Sequence, residues 1–236
     1  MRAVSAIFIK QLNDFPKNIS VAFLFVMYPI LAAVMSFFIP VEEGGGGFFT
    51  MTFAMMFVGS TPMISVANTI AEDNEYKSLR FLVMAGVRPG QYMLGLGAFV
   101  MIMSLLPLAA FALIGGYGFD VLAVFIPVAL LGCICSLVLG GVVGLFSKNV
   151  QQCAAIYTPL MLVISFVPFL ATFNEGISNV AQILFTYHIF LIFVDAAGAT
   201  LYDNFSLPVS MAVIAANALV FAVLFAIAYK KKGLKG

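Results

Sequence analysis

The sequence predicts an all-α integral membrane protein with six transmembrane helices and both ends on the cytoplasmic side. Three observations predict it: a scarcity of charge, long uncharged apolar runs, and a one-sided placement of the bases. Of the 236 residues, 63% are hydrophobic and 9% are charged, and the mean hydropathy is +1.12. A soluble domain carries roughly 25% charged residues, so this chain cannot cover a surface that faces water. Lipid must be its solvent. The net charge of +1 says nothing by itself about partners, and no nucleic-acid partner is expected. Cys133, Cys135 and Cys153 lie in or beside apolar runs. Their odd number and lack of metal-ligand spacing argue against a disulfide frame or a zinc site. Met1 to Lys17 is amphipathic, without the apolar stretch and small-residue cleavage site of a signal peptide.

A spanning helix needs about 20 apolar residues to cross about 30 Å of hydrocarbon. Six runs qualify: Ile19–Ile39, Phe48–Ala71, Gln91–Ile114, Val121–Ser147, Gln151–Phe173 and Phe205–Tyr229, none of them holding a charge. A further run from Gly176 is interrupted by His188 and closed by Asp195. Charge decides whether it crosses. With six spans, the inner segments hold Arg2, Lys10, Lys17, Lys77, Arg80, Arg88, Lys148, Lys230, Lys231, Lys232 and Lys235, which are all 11 bases of the chain. The outer loops hold Glu42, Glu43, Asp120, Glu175, Asp195 and Asp203 and no base. A seventh crossing would send the terminal lysines outside, against the positive-inside rule. Residues 176–200 therefore read as a re-entrant or interfacial hairpin on the outer face, with its turn expected at Ala196–Gly198.

Two other segments read as helices that do not cross. In residues 1–17, Val4, Ile7, Phe8, Leu12 and Phe15 fall in one sector of a helical wheel, and Ile9 spoils the pattern. Lys10, Asp14 and Lys17 are its charged candidates. Such a helix is expected to lie in the headgroup plane with its bases toward anionic lipid, and Pro16 ends it. The second is Glu72–Met84, within the cytoplasmic connection 72–88. Glu72, Asp73 and Glu75 are expected in its first turn, where negative charge suits the helix dipole. Asp73 and Lys77 would form an i,i+4 pair, and Tyr76, Leu79, Leu82 and Val83 would share an apolar face.

The chain carries little chemistry of its own. Gly44–Gly47 lacks the Lys-Ser/Thr that completes a phosphate-binding loop and reads as a flexible turn. His188 has no flanking ligand pattern, so neither a catalytic residue nor a metal site is expected. Ion-coupled transport usually leaves ionisable groups within the spans; here none remain, although Asn68 and Asn217 are polar. On span four, Gly132, Ser136, Gly140 and Gly144 recur every fourth residue, which lets another helix approach closely. Internal packing is the plainer explanation and a subunit interface the other. Pro29, Pro62, Pro107, Pro127, Pro159 and Pro168 lie within spans, where prolines kink helices and free carbonyls for neighbours. Met51, Met55 and Met56 of span two, with Tyr157 and Phe166, are candidates to line a pliable path for hydrophobic cargo, since methionine and aromatic side chains adapt to varied apolar shapes.

The order of parts resembles the permease subunit of ABC-2 type (type V exporter) ATP-binding cassette transporters over essentially the whole chain. The resemblance rests on the helix Ile7-Phe-Ile-Lys-Gln-Leu-Asn-Asp-Phe-Pro-Lys-Asn18, on Tyr28-Pro29-Ile30, and on the charged stretch from Ile70 to Leu82 that runs on to Val87-Arg88-Pro89. An outer hairpin and a basic tail follow. Glu72 and Glu75, Ser78-Leu79 and Pro89 match the family's pattern after span two; Leu94-Gly95 is followed by Leu96, where the family often has lysine. The resemblance implies two permeases, identical or paralogous, paired around a path made largely by spans one, two and five. It also implies separate cytoplasmic ATPase subunits that bind the ATP and magnesium, so that this chain holds no cofactor and is not itself an enzyme. Glu72, Asp73, Glu75, Tyr76, Lys77, Ser78, Leu79, Arg80 and Leu82 would form the coupling helix seated on the ATPase. The N-terminal helix, with Lys10, Asp14 and Lys17, would be an elbow touching the same subunit, and the hairpin would close the exit. Short outer loops favour export of a lipophilic drug, a lipid or an amphipathic peptide such as a bacteriocin, across a bacterial plasma membrane. A haem-export-type permease is the alternative within the class, and an ion-coupled transporter or channel and an intramembrane enzyme are the alternatives outside it.

The topology makes a direct prediction. Single cysteines at 148 and 232 should resist impermeant thiol reagents in intact cells, and cysteines at 176 and 203 should both react. Labelling at 232 would overturn the orientation, and labelling at only one of 176 and 203 would make the hairpin a seventh span.

Overall fold

The computed structural model describes residues 2–39, 47–198 and 206–232, apart from the side chains of Arg2, Leu79, Arg80, Val83, Pro89 and Lys232. Glu42, Glu43, Gly44–Gly46, Asp203 and Lys235 lie outside the described residues. Every regular element described is helical: α1 (Arg2–Asp14), α2 (Ile19–Phe38), α3 (Phe48–Glu75), α4 (Ser78–Met84), α5 (Pro89–Gly115), α6 (Phe119–Phe146), α7 (Val150–Met161), α8 (Val167–Ala171), α9 (Glu175–Ala181), α10 (Phe185–Ala196) and α11 (Leu207–Lys232). Six are long and apolar enough to cross a membrane when α7 and α8 are joined through the π turn Leu162–Phe166. Six crossings put α1 and the end of α11 on one side, here termed the basic end.

Local chemistry sets the boundaries. Pro16 has no N–H to continue α1, which tightens into the 3₁₀ turn Phe15–Lys17. Asn18 then accepts from Val21 N at 3.3 Å and caps α2. The helix α1 does not simply rest on lipid. Its Ile7 and Gln11 are buried and it packs on α5, where a Cβ on Gly95 would meet Ile7 Cβ at 2.8 Å and Val4 O at 2.9 Å. Leu12, expected on the apolar face, is exposed, as is Ile9.

The centre of the bundle is α3, 89% buried along its apolar window, whereas the corresponding window of α11 is 11% buried. It packs against α2, α5, α6, α7 and α10. The small-residue stripe of α6 makes the closest of these approaches. A Cβ on Gly140 would strike Met63 O, one on Gly132 would strike Val58, and one on Gly144 would meet Ile70 Cβ at 2.7 Å. That stripe is internal packing within one chain. Met51, Met55 and Met56, expected to line a path, are buried in the same core. A helix that is apolar or small on every side can be buried on every side.

At two of the prolines in the spans, a hydroxyl from a neighbouring helix occupies the carbonyl that the proline frees. Pro62 cannot donate to Val58 O, which instead accepts from Ser136 Oγ of α6. Pro168 cannot donate to Ile164 O in the π turn, and Thr186 Oγ1 of α10 takes that place. The methyl of Thr186 lies where a Cβ on Gly59 of α3 would be, 2.8 Å away, so α3, the π turn and α10 meet at one point.

The described part of the expected hairpin does form a bent helical pair, α9 and α10, at 111° to each other; residues 199 and 200 lie outside the described residues. The break falls at Gln182–Leu184, not at Ala196–Gly198, where α10 ends with Gly198 at φ +76°. No glycine or proline marks the break, which is held by outside partners. His188 Nε2 donates to Gln182 O at 2.8 Å, and its Nδ1 pairs with Ser210 Oγ of α11 at 3.0 Å. Asn217 Nδ2 of α11 donates to Ile183 O at 3.0 Å.

The contact at Gly140 sets a test. Gly140→Leu should lower stability in detergent by about 1–3 kcal/mol, the usual cost of overpacking. Gly90→Ala should be neutral, because nothing lies within 4 Å of the added Cβ. Equal melting temperatures for both variants would refute the close approach.

Candidate functional site

The densest polar cluster at the basic end forms on the last turn of α3, Glu72-Asp73-Asn74-Glu75. This is a correction to the single helix expected over Glu72–Met84. The spanning helix continues through Glu75, Tyr76 and Lys77 turn the chain, and only Ser78–Met84 forms the separate helix α4. Lys77 takes the left-handed conformation, with φ +57°, costly for a residue with a Cβ. The acids therefore sit at the C-terminal end of a helix, where the dipole opposes negative charge, and their partners must come from elsewhere.

Asp73 obtains them from three elements. Its side chain is 7% exposed and pairs with Lys10 Nζ of α1 at 2.8 Å. Ser78 Oγ, at the start of α4, donates to the same Oδ1 at 3.0 Å. Tyr92 Oη, in the first turn of α5, donates to Oδ2 at 2.6 Å. The expected Asp73–Lys77 pair is not formed, because Lys77 lies beyond the end of the helix. Asn74 Nδ2 donates to Ser147 O at 3.1 Å and to Gly144 O at 3.4 Å at the end of α6. Glu75 Oε2 accepts from Val150 N at 3.1 Å, which sets its charge at the N-terminus of α7, where the dipole favours it. One helical turn thus ties down α1, α4, α5, α6 and α7.

Glu72 is half-buried and faces a cleft of about 640 Å³ between α1, the start of α2 and the end of α3, lined also by Lys10, Asp14, Lys17, Tyr76 and Phe99. Lys17 pairs weakly with Asp14 at 3.5 Å. Tyr76, Phe81 and Met84 are exposed by 71%, 66% and 73% on the short connection. Leu82, expected on the outer ridge, instead packs on the core. Phe81 and Met84 were not singled out from the sequence. The side chains of Leu79 and Arg80 lie outside the described residues. Tyr157 is half-buried against the core, and Phe166 is exposed on the π turn.

A bundle of six spanning helices, with a short amphipathic helix and a charged helical connection gathered at one end, suits a transport subunit. The family model for ABC-2 family transporter proteins matches residues 40–230. The chain belongs to the ABC-2 transporter family. It is an ABC permease and a multi-pass membrane protein, of a type that works with an ATPase rather than being one. No curated protein matches the sequence. The family match covers the acidic turn, α4, the hairpin and all spans except α2, and it ends within the last spanning helix.

The junction predicts its own energetics. Tyr92→Phe keeps the ring and removes one donor to a buried carboxylate, which should cost about 1–3 kcal/mol. Thermal unfolding in detergent measures it, and an unchanged melting temperature would show that the hydroxyl does not support Asp73.

Proposed function

We propose that this ABC-2 permease exports a hydrophobic or amphipathic substrate, using ATP hydrolysed with magnesium by a separate subunit docked at the basic end. The family match over residues 40–230 carries this reading. The basic end is then cytoplasmic, as the placement of all 11 bases supports, and the membrane is a bacterial plasma membrane. A second permease, identical or paralogous, completes the path.

The geometry supports a division of labour in the segment first assigned to coupling. Asp73, Glu75 and Ser78 bind other parts of the same chain, so they position the connection and do not meet the ATPase. Tyr76, Phe81 and Met84 point outward and form the apolar surface that the ATPase covers. Glu72 and Lys77 flank it. Within the membrane, the methionines of α3 are inside the protomer, which leaves the path to exposed side chains of α2 and of the α7–α8 run. Phe23, Ile30, Val163 and Phe166 are such residues, and an apolar lining suits a peptide toxin, a drug or a lipid.

Docking gives the test. Phe81→Asp and Met84→Asp should leave insertion intact and abolish co-purification of the ATPase in mild detergent, as removal of buried interface anchors does. Phe173→Asp, exposed on the opposite side, should retain it. Retention by all three variants would remove α4 from the interface, and a wild-type chain that recruits no ATPase would overturn the permease reading.

A further inference from the structure

We infer that Asp73 is a positioning residue that makes the N-terminal helix α1, the connection helix α4 and the head of α5 move as one body when the ATPase acts. The inference rests on the export reading above for its consequence, but its mechanical part stands on geometry alone. Three observations carry it. The carboxylate is buried, and each of its oxygens is engaged: Oδ1 by Lys10 and Ser78, Oδ2 by Tyr92. The three donors come from three different elements, none of which is held to the others by a continuous helix. The acid also sits at the unfavourable end of α3, so it gains from every donor and cannot release one without leaving buried charge uncompensated.

The tie explains why a helix as short as α4 can transmit displacement. Ser78–Met84 has 7 residues, too few to be stable by its own hydrogen bonds. It is anchored at its first residue: Ser78 Oγ also donates to the Asp73 carbonyl at 3.3 Å. A push on the exposed Phe81 and Met84 is therefore delivered at Asp73. From there it passes through Lys10 to α1 and through Tyr92 to α5. On the other side of the same turn, Asn74 and Glu75 hold the α6–α7 corner, so the spanning helices receive the displacement together. Lys10 is the accessible member, with its side chain 40% exposed. Removing its charge spares the packing of the core.

Spin labels at Ile9 and Phe81, exposed by 54% and 66%, would report the α1–α4 distance in liposomes. The wild-type chain should give one narrow distribution. Lys10→Met and Asp73→Asn should each broaden it, and Lys10→Arg should restore it. An unchanged distribution in Lys10→Met overturns the inference even if Asp73→Asn fails to fold. With the ATPase reconstituted, substrate exported per ATP hydrolysed should fall in Lys10→Met by about fivefold or more, the lower end of typical coupling between sites. An unchanged export ratio beside a broadened distance would overturn the transmission step. The distance measurement needs no ATPase, so failure of the export reading alone would leave the three-way tie standing.

Discussion

A backbone carbonyl in hydrocarbon has no water to accept from, and each one left bare costs several kcal/mol. That constraint organises the interior of this protein. Continuous helices satisfy it locally, so every interruption needs a donor from a neighbouring helix. Pro62 opens Val58 O and Ser136 closes it; Pro168 opens Ile164 O and Thr186 closes it. The break between α9 and α10 opens two carbonyls, which are taken by His188 and Asn217. Ser136, Thr186, His188 and Asn217 are accounted for in this way, whereas Ser60, Thr69 and Ser104 bond the carbonyl one turn back in their own helix. The first four act as local substitutes for missing backbone donors, and Gly59 and Gly132 allow the helices close enough for the substitutions to work.

At the basic end the same logic applies to charge. The acids of the last α3 turn are placed against the helix dipole, and each finds compensation outside its own helix: an ammonium for Asp73 and a helix N-terminus for Glu75. Glu72 is the exception that stays at the cleft. Its half-burial and the exposed aromatic face of Tyr76 beside it mark where the permease stops satisfying itself.

What could be read from the sequence was what depends on many residues at once. Each span is an uncharged run longer than the membrane is thick, and the bases segregate to one side; no tertiary contact is needed to see either. A hairpin after Gly176 was legible because a seventh crossing would separate the terminal lysines from the other bases, and the chain does bend there. The position of the bend was not, since Gln182-Ile183-Leu184 contains no turn residue and is held by Ser210 and Asn217 from another helix. The split at Tyr76–Lys77 was hidden for a similar reason: the left-handed position itself is a lysine, not glycine or asparagine. The Asp73 cluster depends on a partner 63 residues away in the chain, which helical spacing cannot reveal. Met51, Met55 and Met56 show the remaining ambiguity. Methionine suits a pliable path and a packed core equally well, and only the surrounding helices decide.

The hydrogen bond from Asn217 to Ile183 O also bears on how the protein is made. Ile183 is 71% exposed, and its carbonyl gains its donor from a residue 34 positions later. At ~5–20 residues per second that interval is roughly 2–7 s of translation. Throughout it the hairpin has no α11 to hold its vertex, and His188 lacks Ser210 as well. The α9–α10 pair therefore cannot settle at its final depth as it leaves the translocon. Synthesis of α11 thus completes the hairpin end of the bundle, and a chain truncated before Ser210 would leave the hairpin without these two partners.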